Sequence, residues 1–150
     1  MNKLEYLLQQ ASDSGCEVEN ANLTAHSGLY GDGMILLSKD LKTTAEKTCI
    51  LAEELGHHYT ATGDITGDSV SARKQELMGR KIAYETLVPL EALAAAVLGS
   101  RSAFEIAETL QITEAFLREA VAYYHGKYGV CVSTSQGELY FSPLGVLKKL

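Results

Sequence analysis

Apolar and polar residues along the first third of the chain follow two different periods. Helical spacing of apolar residues predicts an opening helix over about residues 3–13, and residues 16–23 alternate as a strand does. Residues 29–37 resemble a β-hairpin, because Gly31-Asp32-Gly33 supplies the positive-φ positions that a tight turn needs. The chain therefore begins with one helix followed by short strands.

Helical patterns dominate from residue 43 onward. Thr43 followed by Glu46 is a capping box, which predicts a helix from Thr43 to about Tyr59. The segment Thr62-Gly63-Asp64 should end that helix. The remaining predicted elements are a helix from near Ser69 or Ser71 to before Pro89, helices over 91–98, 103–110 and 114–125 with Gly126 as the stop, and a hairpin around Ser135-Gln136-Gly137.

These elements predict an α+β fold that is mainly helical with a small β-sheet. The pattern changes after residue 98, where two amphipathic helices with helix-turn-helix spacing precede the final hairpin. We therefore expect one domain over 1–98 and a helix-turn-helix-like C-terminal subdomain with a β-hairpin over 99–150.

Composition narrows the class of protein. The 150 residues are 46% hydrophobic, which excludes wholesale disorder, and the net charge of −6 argues against a general nucleic-acid or membrane-surface binder. Three widely spaced cysteines without a CxxC pair suggest reduced thiols. With no signal-like N-terminus and no apolar run long enough for a membrane span, we expect a soluble cytoplasmic protein.

The segment Glu53-Glu54-Leu55-Gly56-His57 carries the candidate chemistry. Zinc peptidases present H-E-x-x-H on a helix, where the first and last residues bind the metal and the glutamate is the general base. In this frame Glu53 replaces the first histidine, and a carboxylate is an acceptable zinc ligand. We therefore predict Glu53 and His57 as metal ligands and Glu54 as the catalytic base.

Two alternatives to this assignment remain open. Glu54 and His58 also stand four residues apart, so His58 is an alternative ligand, although that frame places Leu55 where the base should be. Glutamate and histidine at this spacing are also common as a solvated pair on an exposed helix face. From spacing alone, metal binding is the less common of these readings.

The same residues resemble the ImmA/IrrE family of metallo-endopeptidases, in particular its short members encoded by phages and integrative elements. Members usually carry H-E-L-G-H, and this chain matches E-L-G-H within residues 52–60. Residues 35–41 are similar to the family's strand before the active helix. Residues 76–89 are similar to a second block, E-x-x-A-N-x-F-A-x-x-L-x-P, from which Gly79 and Arg80 depart.

The resemblance implies a zincin-like metallopeptidase domain over 1–98 that uses Zn²⁺. It maps the family's third metal ligand onto Glu76, beside Glu53 and His57. It also implies the partner, a repressor-type transcription regulator that is cleaved, which would make the protein an anti-repressor. The alternative is a non-catalytic regulator with the peptidase fold that binds such a repressor without cutting it.

Asp64 is a further candidate site residue. It could orient a ligand histidine, or it could only end the helix.

The charge of the two C-terminal helices bears on the DNA-binding hypothesis. Residues 100–125 carry two arginines against four glutamates, for a net charge of −2. Because phosphate contacts dominate DNA affinity, we expect no direct DNA binding and interpret these helices as a packing unit or a protein-docking surface.

Overall fold

The protein consists of helices and two small sheets. The structure is a computed structural model that describes residues 1–60 and 69–148, with side chains for all of these except residues 69–71. The helices and sheets confirm the predicted α+β class. The predicted helix stop at Thr62-Gly63-Asp64 lies outside the described residues. In chain order the elements are α1 (Lys3–Asp13), β1 (Glu17–Ala21), β2 (Gly28–Gly31), β3 (Met34–Ser38), α2 (Thr44–Thr60), α3 (Ser69–Leu87), α4 (Leu90–Gly99), α5 (Ala103–Leu110), α6 (Glu114–Tyr128), β4 (Cys131–Thr134), β5 (Gly137–Phe141) and β6 (Leu144–Leu147).

The chain divides into two compact units, Met1–Ala83 and Tyr84–Leu150, so that the division falls inside α3. The predicted domain boundary between residues 98 and 99 stays a prediction. Within the described residues no single helix is long and apolar enough to cross a membrane, and one bent pair, Ala72–Leu87 with Leu90–Gly99, passes that length and composition test only when taken together.

The first unit is built on a mixed three-stranded sheet in the order β1-β3-β2. β2 and β3 form the predicted hairpin, with positive φ at Asp32 (+50°) and Gly33 (+72°), as a type I′ turn requires. β1 pairs with β3 in parallel, placing Val18 opposite Ile35. β3 is therefore the central strand, and its Ile35 is completely buried.

α2 covers this sheet and carries the candidate site. Its first turn is capped as predicted, since Thr43 Oγ1 accepts a hydrogen bond of 3.1 Å from the Glu46 N–H. Leu51 and Leu55 on its inner face are buried, and the helix packs against α1, β2 and β3. Because this core fixes the inner face of α2, it also fixes the direction in which Glu53, Glu54 and His57 project from the same part of the helix.

The second unit has a second, antiparallel sheet in the order β4-β5-β6, against which α4 and α6 pack. Leu93, Leu117 and Leu139 form the centre of its core, and the buried Tyr124 donates a 2.7 Å hydrogen bond from its hydroxyl to the Val88 carbonyl. The sequence predicts the β4–β5 hairpin but not β6, whose short Leu-Gly-Val-Leu run shows no alternation.

The end of α6 differs from the prediction. Gly126 lies inside the helix, which continues to Tyr128 and ends at Gly129 with φ of +80°. A glycine in a helix costs only about 1 kcal/mol relative to alanine. The last turn offsets this cost, because Lys127 pairs with Glu85 at 2.8 Å and its ammonium lies over the Tyr128 ring.

α5 and α6 are separated by residues 111–113, as the sequence predicts. Gln111 closes α5 in the left-handed conformation (φ +60°), and Thr113 caps α6 by accepting a 3.1 Å hydrogen bond from the Phe116 N–H. The assignment of this helix pair to a helix-turn-helix-like unit stays a prediction.

Candidate active site

Glu53, Glu54 and His57 lie in the last two turns of α2. Residues four apart share one face of a helix, so the Glu53 and His57 side chains project from the same side. All three side chains are partly buried. The α2 backbone therefore places the predicted base beside the two predicted α2 ligands.

A close approach of two glycines brings α3 to this part of α2. A Cβ built on Gly56 would fall well inside contact distance of the Gly79 carbonyl oxygen and 2.9 Å from the Gly79 Cα. A Cβ on Gly79 would in turn lie 2.9 Å from His57 Nδ1. Gly79 therefore leaves room for the His57 ring, and Glu76 stands three residues earlier on the same helix.

The environment of the site changes the pKa of the Glu54 carboxyl group most. Burial, together with repulsion from the neighbouring Glu53 and Glu76 carboxylates, raises the pKa of Glu54 from 4.5 to about 7. A carboxylate with a pKa near neutrality exchanges protons readily at physiological pH, which suits a general base.

His57 is affected by the same neighbours. Burial lowers the pKa of the His57 imidazole, Glu76 opposes this effect, and Arg80 adds to it. A lowered pKa keeps the ring neutral near pH 7, and a neutral ring is the form that binds metal. Glu76 stands one helical turn before Gly79, which contacts the His57 ring, and its charge acts on both Glu54 and His57.

Both ring nitrogens of His58 are already hydrogen-bonded. Nε2 lies 3.2 Å from the Ser14 carbonyl oxygen, and because a carbonyl only accepts, Nε2 is the donor. Nδ1 lies 2.8 Å from the Tyr30 hydroxyl, which donates to it in the neutral tautomer. His58 thus links α2 to β2 and to the end of α1, and this arrangement favours His57 over His58 as a ligand.

Glu76 forms an ion pair on the exposed side of α3. Its Oε1 lies 2.9 Å from Arg80 Nη2, and the two side chains are about half exposed, at 56% and 47%. Glu76 is thus near Glu54 and His57, but its carboxylate is engaged by an arginine.

The donor set agrees with zinc in chemistry. Two carboxylates and one imidazole are ordinary zinc ligands, and a divalent cation would relieve the repulsion among Glu53, Glu54 and Glu76. Across residues 1–60 and 69–148, however, no three His, Cys, Asp or Glu side chains converge closely enough to hold a metal ion. Glu76 is one predicted ligand that another residue engages, since its carboxylate pairs with Arg80. The donor types fit, while metal binding requires their rearrangement.

Three contacts at the site were not among the features predicted from the sequence. Gly28 of β2 lies so close to α2 that a Cβ there would be 3.1 Å from Glu54 Cγ and 2.6 Å from Ile50 Cγ2. The Tyr30–His58 and Glu76–Arg80 contacts complete the set. Glycine and arginine carry no motif at these positions, although the spacing of Glu76 and Arg80 is the usual one for a helical ion pair. Asp64 lies outside the described residues.

A partly buried carboxylate base and an imidazole on one helix, beside a second helix with a further carboxylate, suit a hydrolase that activates water. The chain belongs to peptidase family M78: a family model described as the IrrE N-terminal-like domain matches residues 12–121. This match confirms the ImmA/IrrE resemblance and supports a function of the metallopeptidase type. Neither the curated proteins nor the solved structures give a significant match.

The charge of Glu54 is expected to destabilise the metal-free fold at high pH. Its pKa rises from an ordinary 4.5 to about 7 on folding, so the folded state favours the neutral carboxyl. The resulting stability is complete below pH 4.5 and is lost as pH rises through about 7. In the presence of a chelator, Glu54→Gln should therefore be more stable than wild type at pH 8 by about 1–2 kcal/mol, a figure reduced for solvent screening.

Urea unfolding at pH 5 and pH 8 checks this expectation. Glu46→Gln is the matched control, because it removes one carboxylate from the exposed first turn of the same helix and glutamine is tolerated in a capping box. An advantage of Glu54→Gln that is equal at both pH values would contradict the assignment.

Proposed function

We propose that this protein is a zinc-dependent endopeptidase in which Glu54 is the general base. The observation that carries the proposal is the position of Glu54. Its side chain is partly buried, lies near Glu53 and Glu76, and precedes His57 by one helical turn. Membership of a metallopeptidase family supports the same reaction. The zincin-like description of the catalytic unit is part of this proposal.

In this proposal each side chain has a distinct role. Glu53, His57 and Glu76 hold the metal, and Zn²⁺ when bound supplies a Lewis acid that makes water more acidic. Glu54 accepts a proton from the attacking water and delivers it to the leaving amine nitrogen of the cleaved peptide bond. The tight contact at Gly56 and Gly79 keeps His57 in place during these steps.

The proposed substrate is a repressor-type transcription regulator, which would make the protein an anti-repressor. The resemblance to short phage-encoded and element-encoded family members supports this substrate class. The α5–α6 pair is proposed as a docking surface for that partner. Its exposed Phe104 and the acidic charge of residues 100–125 suit a protein partner better than duplex DNA.

A second candidate function is binding of the repressor without cleavage. Two observations favour it: Glu53 stands where the peptidase motif has histidine, and Glu76 is paired with Arg80. A regulator of this kind would keep the peptidase fold and dock its partner without a functioning metal site.

Incubation with a purified repressor-type transcription regulator as the candidate substrate separates the two candidates. The proposal expects two fragments by mass spectrometry, their loss after chelator treatment and their return when zinc is restored. A complex that forms without cleavage, and that is insensitive to chelator, would favour the non-catalytic function instead.

A further inference from the structure

The ion pair between Glu76 and Arg80 occupies one of the proposed metal ligands. Arg80 Nη2 contacts Glu76 Oε1 at 2.9 Å across one turn of α3. A carboxylate that is hydrogen-bonded to a guanidinium group shares its negative charge with that cation and is oriented by it, so it is a weaker donor to a metal ion.

Arg80 also places positive charge directly beside the site. It directly follows Gly79, whose backbone packs against the His57 ring. A cation at this position repels a divalent metal ion as well as competing with it for Glu76. Both effects weaken metal binding.

We propose that Arg80 is a positioning residue that holds Glu76 in the metal-free protein and thereby lowers the affinity of the site for zinc. Arg80 and a bound metal ion would compete for the charge and the orientation of the same carboxylate. The inference rests on the proposed function. It adds a residue of α3 that competes with the metal ion for Glu76.

The size of the effect follows from the exposure of the pair. Half-exposed ion pairs are worth about 0.2–1 kcal/mol, which corresponds to a change of about 1.5- to 5-fold in an equilibrium constant. Salt screens such pairs, so the effect should shrink at high ionic strength. We expect Arg80→Gln to bind zinc about 1.5- to 5-fold more tightly than wild type in low salt.

Two matched variants separate the proposed competition from simpler effects. Lys81→Gln removes the same charge from the neighbouring exposed position of α3 without breaking the Glu76–Arg80 pair. Arg118→Gln breaks a similar pair, Arg118–Glu114 at 3.0 Å with the same spacing, in α6. Glutamine is a good helix former, so all three variants should keep their helices.

The experiment is competition for zinc against a chromophoric chelator at low and high salt, with the full chain and its three variants. The proposal expects tighter binding for Arg80→Gln only, with the gain reduced at high salt. Equal or weaker binding by Arg80→Gln would overturn it, as would an equal gain in Lys81→Gln. If neither wild type nor any variant binds zinc, the proposed metal-dependent function itself fails, and this inference with it.

Discussion

Glu54→Gln is expected to lower the rate of peptide-bond cleavage by about a hundredfold to ten-thousandfold, the usual contribution of a general base. Glutamine keeps the shape of the side chain, but its amide cannot accept the proton of the attacking water. Zinc content should stay the same, because Glu54 is not one of the proposed ligands.

The matched control for this variant is Glu46→Gln, which changes the same residue type in the first turn of the same helix. It should retain wild-type activity. Cleavage of the repressor by Glu54→Gln at more than about a tenth of the wild-type rate would rule out Glu54 as the base. Loss of zinc together with activity would instead assign Glu54 to the metal.

Gly56→Ala is expected to destabilise the protein by about 1–3 kcal/mol, the usual cost of overpacking. The added methyl group would press on the carbonyl and Cα of Gly79, and backbone atoms of a helix cannot turn aside as a flexible side chain can. Either α3 moves away from α2 or the fold is strained, and in both cases the position of His57 changes.

Gly126→Ala is the matched comparison, since Gly126 also lies inside a helix but has nothing within 4 Å of a built Cβ. There, alanine should stabilise the protein by about 0.5–1 kcal/mol through its higher helix propensity. Denaturant unfolding of both variants measures the difference. Stabilisation by Gly56→Ala, as expected for Gly126→Ala, would show that the Gly56–Gly79 contact does not limit the packing of α2 on α3.

Local signals in the sequence are sufficient to predict much of this fold. The Thr43 cap depends on a hydrogen bond between residues three apart, and the Asp32-Gly33 turn depends on backbone preferences of two adjacent residues. Such features need no information from distant parts of the chain. The failure at Gly126 has the opposite origin, because contacts with Glu85 from another helix extend α6 past a residue that often ends helices.

The features of the candidate site fall into the same two groups, those set by local spacing and those set by contacts between distant segments. The shared helix face of Glu53 and His57 follows from their spacing, so the sequence can place them together. The approach of Gly79 to His57, the Tyr30–His58 hydrogen bond and the parallel pairing of β1 with β3 join segments far apart in sequence. No single-residue preference encodes such contacts, because each depends on how whole elements pack.

These long-range contacts also change the interpretation of the motif. The sequence favours His57 and leaves His58 as an alternative ligand, and the partners of His58 on β2 and at Ser14 add support for His57. Likewise, the family resemblance maps Glu76 to a ligand position, and the structure adds that its carboxylate pairs with Arg80.

Zinc content of the purified protein, measured by elemental mass spectrometry after loading and dialysis, tests the proposed metal site most directly. The account predicts about one equivalent of zinc per chain in wild type and less than about a tenth of that in His57→Ala, because loss of the imidazole removes one of three ligands. His125→Ala, which removes an exposed histidine of α6, should load as wild type does. Wild type without zinc, or His57→Ala with a full equivalent, would contradict the account.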